Sequence, residues 1–125
     1  MDINQIKSNL QMKNFYFSKY NFSRNSVITD GEYNIDIQKK IDRVDEHIYT
    51  VSLRTVISKD DMKLEIQADA EFTYCSDDYE NEEAIINANT IAIMFPFVRS
   101  QVTLLTSQPG MAPIVLPPIN TRKFN

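Results

Sequence analysis

Residues 62–74 alternate without a break. Met62, Leu64, Ile66, Ala68, Ala70, Phe72 and Tyr74 fall on one side; Lys63, Glu65, Gln67, Asp69, Glu71 and Thr73 fall on the other. Period two over thirteen residues is the period of a β-strand, and one wholly polar set means one wet face, as in an antiparallel sheet. Ala68 and Ala70 are small, so another element can lie close against the middle of the apolar face. Upstream, Tyr33, Ile35 and Ile37 alternate with Asn34, Asp36 and Gln38. His47, Tyr49, Val51, Leu53, Thr55 and Ile57 then share a face opposite Thr50, Ser52, Arg54 and Ser58. Lys59-Asp60-Asp61 has the chemistry of a hairpin turn between the last two strands. Residues 10–22 hold Phe15, Tyr16, Phe17, Tyr20 and Phe22, but their alternation shifts phase, which predicts a bulge or a strand covered on both faces. Ser23-Arg24-Asn25-Ser26 and Asp30-Gly31 mark residues 23–32 as a connection. Together these readings predict four antiparallel strands with a single apolar face.

From about Asn81 the period changes. Asp77, Asp78, Glu80, Glu82 and Glu83 gather where a helix would begin, and negative charge there suits the helix dipole. With no histidine nearby and no regular ligand spacing, the acidic run does not predict a metal site. The following helix, to about Ser107, carries Ile85, Ile86, Ile91, Ile93, Met94, Phe95, Phe97, Val98, Val102, Leu104 and Leu105. They fill more than one stripe, so the helix needs cover on two sides. One sheet supplies one side, and another subunit is the economical source of the other. Ile91, Val98, Val102 and Leu105 are the expected contacts with that subunit, being spaced three, four and seven apart. Pro96, inside the helix, predicts a kink or a freed carbonyl.

Past the helix, Pro109, Pro113, Pro117 and Pro118 fix φ and remove backbone donors, so the segment can neither extend the helix nor enter a sheet interior. Yet Met111, Ile114, Val115, Leu116 and Ile119 are apolar. An extended, greasy segment beside a greasy helix predicts a groove for apolar ligands or a subunit contact. Tyr33, Ile35 and Ile37 would bound it, Met111, Ile114 and Leu116 would roof it, and Phe95 or Phe97 would form its base. Polar substitutions at Ile114 and Leu116 are expected to cost little folding free energy. The plainer alternative makes these residues core or subunit interface.

Chemistry-bearing residues are sparse. Only Gly31 and Gly110 are glycines, so no glycine-rich phosphate cradle can form and no nucleotide or other cofactor is expected. His47, the sole histidine, is read as a structural or surface residue on a strand. Cys75 is expected as a small buried residue rather than a nucleophile. Arg99 is expected to pair with a carboxylate or a carbonyl. The chain is therefore not read as an enzyme. Its net charge of −4 argues against a nucleic-acid partner. A lone cysteine fits a reducing compartment. The N-terminus lacks a secretory pattern and no run is long enough to span a bilayer. A cytoplasmic domain over residues 1–125, without membrane insertion, is the expectation.

In the order of these features the chain resembles the SecB protein-export chaperones. The aromatic first strand, the alternating strands, the helix segment Met94-Phe95-Pro96-Phe97-Val98-Arg99 and the loop from Ala112-Pro113 to Pro118-Ile119-Asn120 match in order, from about Leu10 to Asn120. The resemblance implies an α+β fold: a four-stranded Greek-key sheet with one long helix on one face, assembled as a homotetramer, a dimer of dimers. It implies ATP-independent binding of unfolded or preprotein segments, which the family hands to the translocase motor SecA. Where export members carry acidic motor-docking residues on the first strand, this chain has Lys19 and Ser23, while Glu65 matches an acidic docking position on the fourth. After Arg122-Lys123 the chain stops where the family continues into a second helix. A SecB-like chaperone or adaptor dedicated to one partner, such as an antitoxin, is the alternative implied by these departures.

Overall fold

A computed structural model describes residues 9–26 and 32–118. The expectations placed on the N-terminus, on Asp30-Gly31 and on Ile119, Asn120, Arg122 and Lys123 lie outside the described residues. The strands are β1 (Leu10–Arg24), β2 (Asn34–Asp45), β3 (Ile48–Lys59) and β4 (Met62–Tyr74). They form one antiparallel sheet in the order β1-β4-β3-β2. β2, β3 and β4 are joined by tight hairpins, and β1 returns to pair with β4, the Greek-key arrangement that the resemblance implies. β4 begins and ends on the residues its periodicity marks.

The phase shift in β1 has a structural cause. Its register against β4 slips between Lys13 and Tyr16 and again between Phe17 and Lys19. Asn14 takes a left-handed φ of 56° at the first slip, a conformation that asparagine tolerates better than most residues. The bulge brings Phe15 and Phe17 within ring contact, centroids 5.2 Å apart.

After a short 3-10 turn (Tyr79–Asn81), helix α1 runs from Glu82 to Thr106, through Pro96. Pro96 has no N–H, so the carbonyl of Ala92, an exposed residue, loses its helical partner. The helix packs on β3 and β4. Leu53, Ile57, Leu64, Ile66, Ala68 and Phe72 of the sheet and Ile86, Ile91, Met94, Val98 and Val102 of the helix make one buried cluster. Each large apolar side chain among them contributes roughly 1.5–3 kcal/mol by leaving water. Small Ala68, fully buried, sits mid-strand on the helix-covered face, as its size predicts.

Three expectations change. Ile91, Val98 and Val102 are 0% exposed within this one chain, so they fill the sheet–helix core and present nothing to another subunit. Only Leu105 of the expected seam keeps an accessible surface. Their three-and-four spacing marks one stripe, but spacing alone does not say which stripe the sheet takes. Cys75 is exposed: it follows the last residue of β4 and falls on the polar side of the alternation, after buried Tyr74. His47 belongs to the β2–β3 turn with a φ of 60°, not to β3.

Candidate functional site

Residues 107–118 leave the helix and double back along it. Gly110 takes a positive φ of 76° at the bend, which glycine adopts without steric cost. Arg24 of β1 anchors the outward limb, its guanidinium donating to the Pro109 carbonyl at 2.6 Å. On the return limb, Arg99 Nε donates to the Leu116 carbonyl at 2.9 Å and Thr103 Oγ1 to the Ile114 carbonyl at 2.8 Å. Arg99 thus meets a carbonyl, one of the two partners expected for it. The Ile114 N–H donates to buried Thr106 Oγ1 at 2.8 Å.

Between this limb and the start of β2 lies an open cleft of about 400 Å³, lined by Tyr33, Ile35, Ala112, Pro113, Ile114, Val115, Leu116 and Pro117. Tyr33 is half-buried at the rim, with the Lys59 ammonium 5.8 Å from its ring centroid, a cation–π distance. Ile35 is 46% exposed and Val115 74%, so the wall is apolar and accessible. No charged residue is among the lining residues, so the side chains of such a surface bind chiefly by removing apolar area from water.

The predicted groove residues do not all meet here. Tyr33 and Ile35 line it, and Ile37 continues the half-buried row along β2. Ile114 and Leu116 reach it only partly: they are 7% and 3% exposed and join the core, as does Met111. The loop is therefore a wall packed on its inner side, and Val115, between them, turns outward. Phe95 is buried in the core. Phe97 lies elsewhere, its ring 5.0 Å from Phe15 on the opposite sheet edge. It begins a ladder of rings that continues through Phe17 to Tyr20, 5.7 Å beyond Phe17. Tyr20, Phe97 and Leu104 are all large, apolar and about half exposed or more.

Glu65 is not a free carboxylate. Arg54 Nε donates to one oxygen and Lys19 Nζ lies 3.1 Å from the other, and the residue is largely buried beneath them. The Arg54 and Lys19 hydrogen bonds hold its carboxyl below the usual carboxylate range.

One cluster escaped sequence reasoning. Glu82, at the first helical position, is buried. It accepts hydrogen bonds from Tyr49 Oη and from His47, whose Nδ1 is 2.7 Å away. The His47 ring stacks on Tyr79 at 4.6 Å. This clamp ties the β2–β3 turn to the start of α1. An acidic run before a helix signals only a favourable dipole; nothing in it distinguishes the one carboxylate that enters the core. Burial alone would raise the Glu82 carboxyl, but bonds from Tyr49 and His47 and the neighbouring His47 charge hold it below its ordinary value. Burial, together with the Glu82 hydrogen bond, pushes the Tyr49 phenol up to about 12. A depressed folded value gives stability that is present above the unfolded carboxylate value and lost as pH falls through the folded one. Thermal melts taken downward from about pH 5 to pH 3 should therefore lose melting temperature more steeply in the parent chain than in Glu82→Gln. Parallel curves would remove the clamp from the acid response.

Among the described residues, no helix is long and apolar enough to cross a membrane, and no group of three or more His, Cys, Asp or Glu side chains is placed to hold a metal ion.

The model of the family described as preprotein translocase subunit SecB matches residues 5–124. A protein-export protein SecB of Nitrosospira multiformis is 29% identical over 94 residues, which is 71% of this chain but 59% of that protein. An uncharacterized protein of Methanocaldococcus jannaschii is 44% identical over 32 residues, 26% of this chain and 21% of that one. Among solved structures, a Mycobacterium tuberculosis SecB-like chaperone, in complex with a ChAD peptide from the HigA1 antitoxin, superposes with a TM-score of 0.73 at 15% identity. That match covers 89% of this chain and 91% of the other, and at such identity it is a likeness of fold. A protein of unknown function from Streptococcus agalactiae superposes with a TM-score of 0.55 at 12% identity, over 86% of this chain and 96% of that one.

Proposed function

Because this chain belongs to the SecB family, we propose that it is an ATP-independent chaperone holding unfolded polypeptide segments in the cleft between β2 and residues 112–117. The observation that carries this reading is the accessible apolar wall formed by Ile35 and Val115. Apolar burial at roughly 25 cal/mol per Å² holds many sequences without selecting one.

Ile35→Asp combined with Val115→Asp should leave the melting temperature nearly unchanged, since both side chains already meet water. It should abolish the chain's ability to suppress aggregation of an unfolded model protein. That suppression should persist at high salt in the parent chain, because apolar contacts are not screened. Full activity in the double variant would sink the assignment of the cleft.

A chaperone dedicated to one partner is the second reading, and the pairing of Glu65 favours it. A motor docking at Glu65 would first have to displace Lys19 and Arg54. A relative of the same fold holds an antitoxin peptide, which suits a dedicated client. Two unrelated unfolded proteins that compete for the chain support the general reading; retention of one cognate partner alone supports the dedicated one.

Assembly into a homo-oligomer belongs to the same proposal, with its contact moved from the buried stripe to the exposed one. Phe97 and Leu104, beside half-buried Leu105 and the Phe15 ladder, form the apolar surface of the helix that the sheet leaves uncovered. Phe97→Asp with Leu104→Asp should turn an oligomer into a folded monomer by light scattering. An unchanged mass would place the contact elsewhere.

A further inference from the structure

Arg99, Thr103 and Thr106 stand at i, i+4 and i+7 on one face of α1, and each bonds the backbone of the returning limb. The carbonyls of Ile114 and Leu116 therefore point the same way, and so do their buried side chains, while Val115 between them is exposed. That is the period of an extended strand. Pro113 and Pro117 carry no N–H, so this segment cannot join a sheet on both sides. Helix side chains serve it as a neighbouring strand would.

In extended backbone, the N–H and C=O of one residue point opposite to those of its neighbours. The main chain of Val115 is thus turned away from the helix, to the side where the cleft opens against Tyr33 and Ile35. Among the described residues, nothing hydrogen-bonds to it. Positions 113 and 117 would share that side but are prolines, so Val115 offers the only N–H there.

We propose that Arg99, Thr103 and Thr106 are positioning residues that hold residues 113–117 as a one-sided strand, and that the Val115 N–H and C=O pair with the backbone of an extended polypeptide in the cleft. This rests on the client-holding reading and deepens it. Recognition would be a single main-chain residue pair plus apolar burial, which suits extended clients of any sequence but rejects proline at the paired position.

The test uses the full chain, with reduced and carboxymethylated α-lactalbumin as a permanently unfolded probe. Amide exchange of Val115 is followed by NMR, and probe binding by fluorescence anisotropy. The Val115 amide should exchange freely in the free chain and slow at least about tenfold when the probe saturates, as a newly bonded amide does. Thr103→Val, which removes one ladder bond without changing shape, should weaken binding about fivefold, and Thr103→Ser should restore it. Arg99→Met gives the same reading if Thr103→Val fails to fold. Two results would overturn the proposal while leaving client holding intact: bound probe with no change at Val115, or Thr103→Val and Arg99→Met variants binding as tightly as the parent. A parent chain that does not hold the probe removes the client-holding reading itself, and this inference with it. Protection of Val115 in the free chain would refute the one-sided strand whatever the binding result.

Discussion

Val102→Asp is expected to destabilise the fold of the chain itself, not merely to separate subunits. Val102 is 0% exposed between helix and sheet, among Ile91, Met94, Val98, Leu64 and other fully buried side chains. Among the described residues a carboxylate there has no cation beside it, and it has no access to solvent. Leaving a charge or an unpaired polar group in such a place costs several kcal/mol, even when the group evades part of the penalty by staying protonated. A domain of this size has about 5–15 kcal/mol in total, so a loss of about 4 kcal/mol or more removes a quarter to most of its stability and moves the unfolding transition to much lower urea. Urea titration followed by circular dichroism measures it. Asn89→Asp is the control: the same charge on the same helix at an exposed position should leave the unfolding free energy within about 0.5 kcal/mol of the parent. If Val102→Asp melts normally and only the mass falls, the helix packs on the sheet by another face.

Ile114→Ser with Leu116→Ser should be nearly as damaging. Both side chains leave the loop on its inner side, and truncating a buried aliphatic costs about 2–5 kcal/mol through lost transfer energy and the cavity left behind. Some relaxation is available because the loop is at the surface, so about 4 kcal/mol for the pair is the expected scale. Val115→Ser, between them, should be close to neutral. A costly–neutral–costly pattern over three consecutive residues is the signature of a packed extended wall. A near-neutral double variant would mean instead that the loop merely rests on the helix as a detachable roof.

Much of the architecture was legible in the sequence because it depends on period alone. Met62 to Tyr74 alternate at the period of a strand, the residues after Asn81 do not, and Lys59-Asp60-Asp61 turns the chain between two strands; the ends of β3, β4 and α1 follow these marks closely. The irregularity of β1 was legible for the same reason, as a shift of phase within residues 10–22 that left a bulge or a doubly covered strand open; the structure puts the bulge at Asn14. The site was legible in part. Tyr33 and Ile35 announced themselves as apolar residues on a strand, and the prolines announced an extended wall opposite.

Other features had no signature in the chain, because they depend on which surfaces meet. Ile91, Val98 and Val102 share a stripe with the spacing of any helix contact; only the placement of α1 on β3 and β4 decides that the sheet covers it and that Phe97 and Leu104 remain outside. Met111, Ile114, Val115 and Leu116 look alike in composition, and the bonds from Thr103, Thr106 and Arg99 decide that Ile114 and Leu116 turn in while Val115 turns out. Glu82 is one of five acids in a row of seven residues, and becomes a buried clamp only because the β2–β3 turn brings His47 and Tyr49 to it. The sequence by itself determined the elements, their order and the wet face of the sheet, since local period and turn chemistry are properties of neighbours along the chain. The tertiary structure decided which apolar residues are core and which are cleft, since burial is a property of neighbours in space.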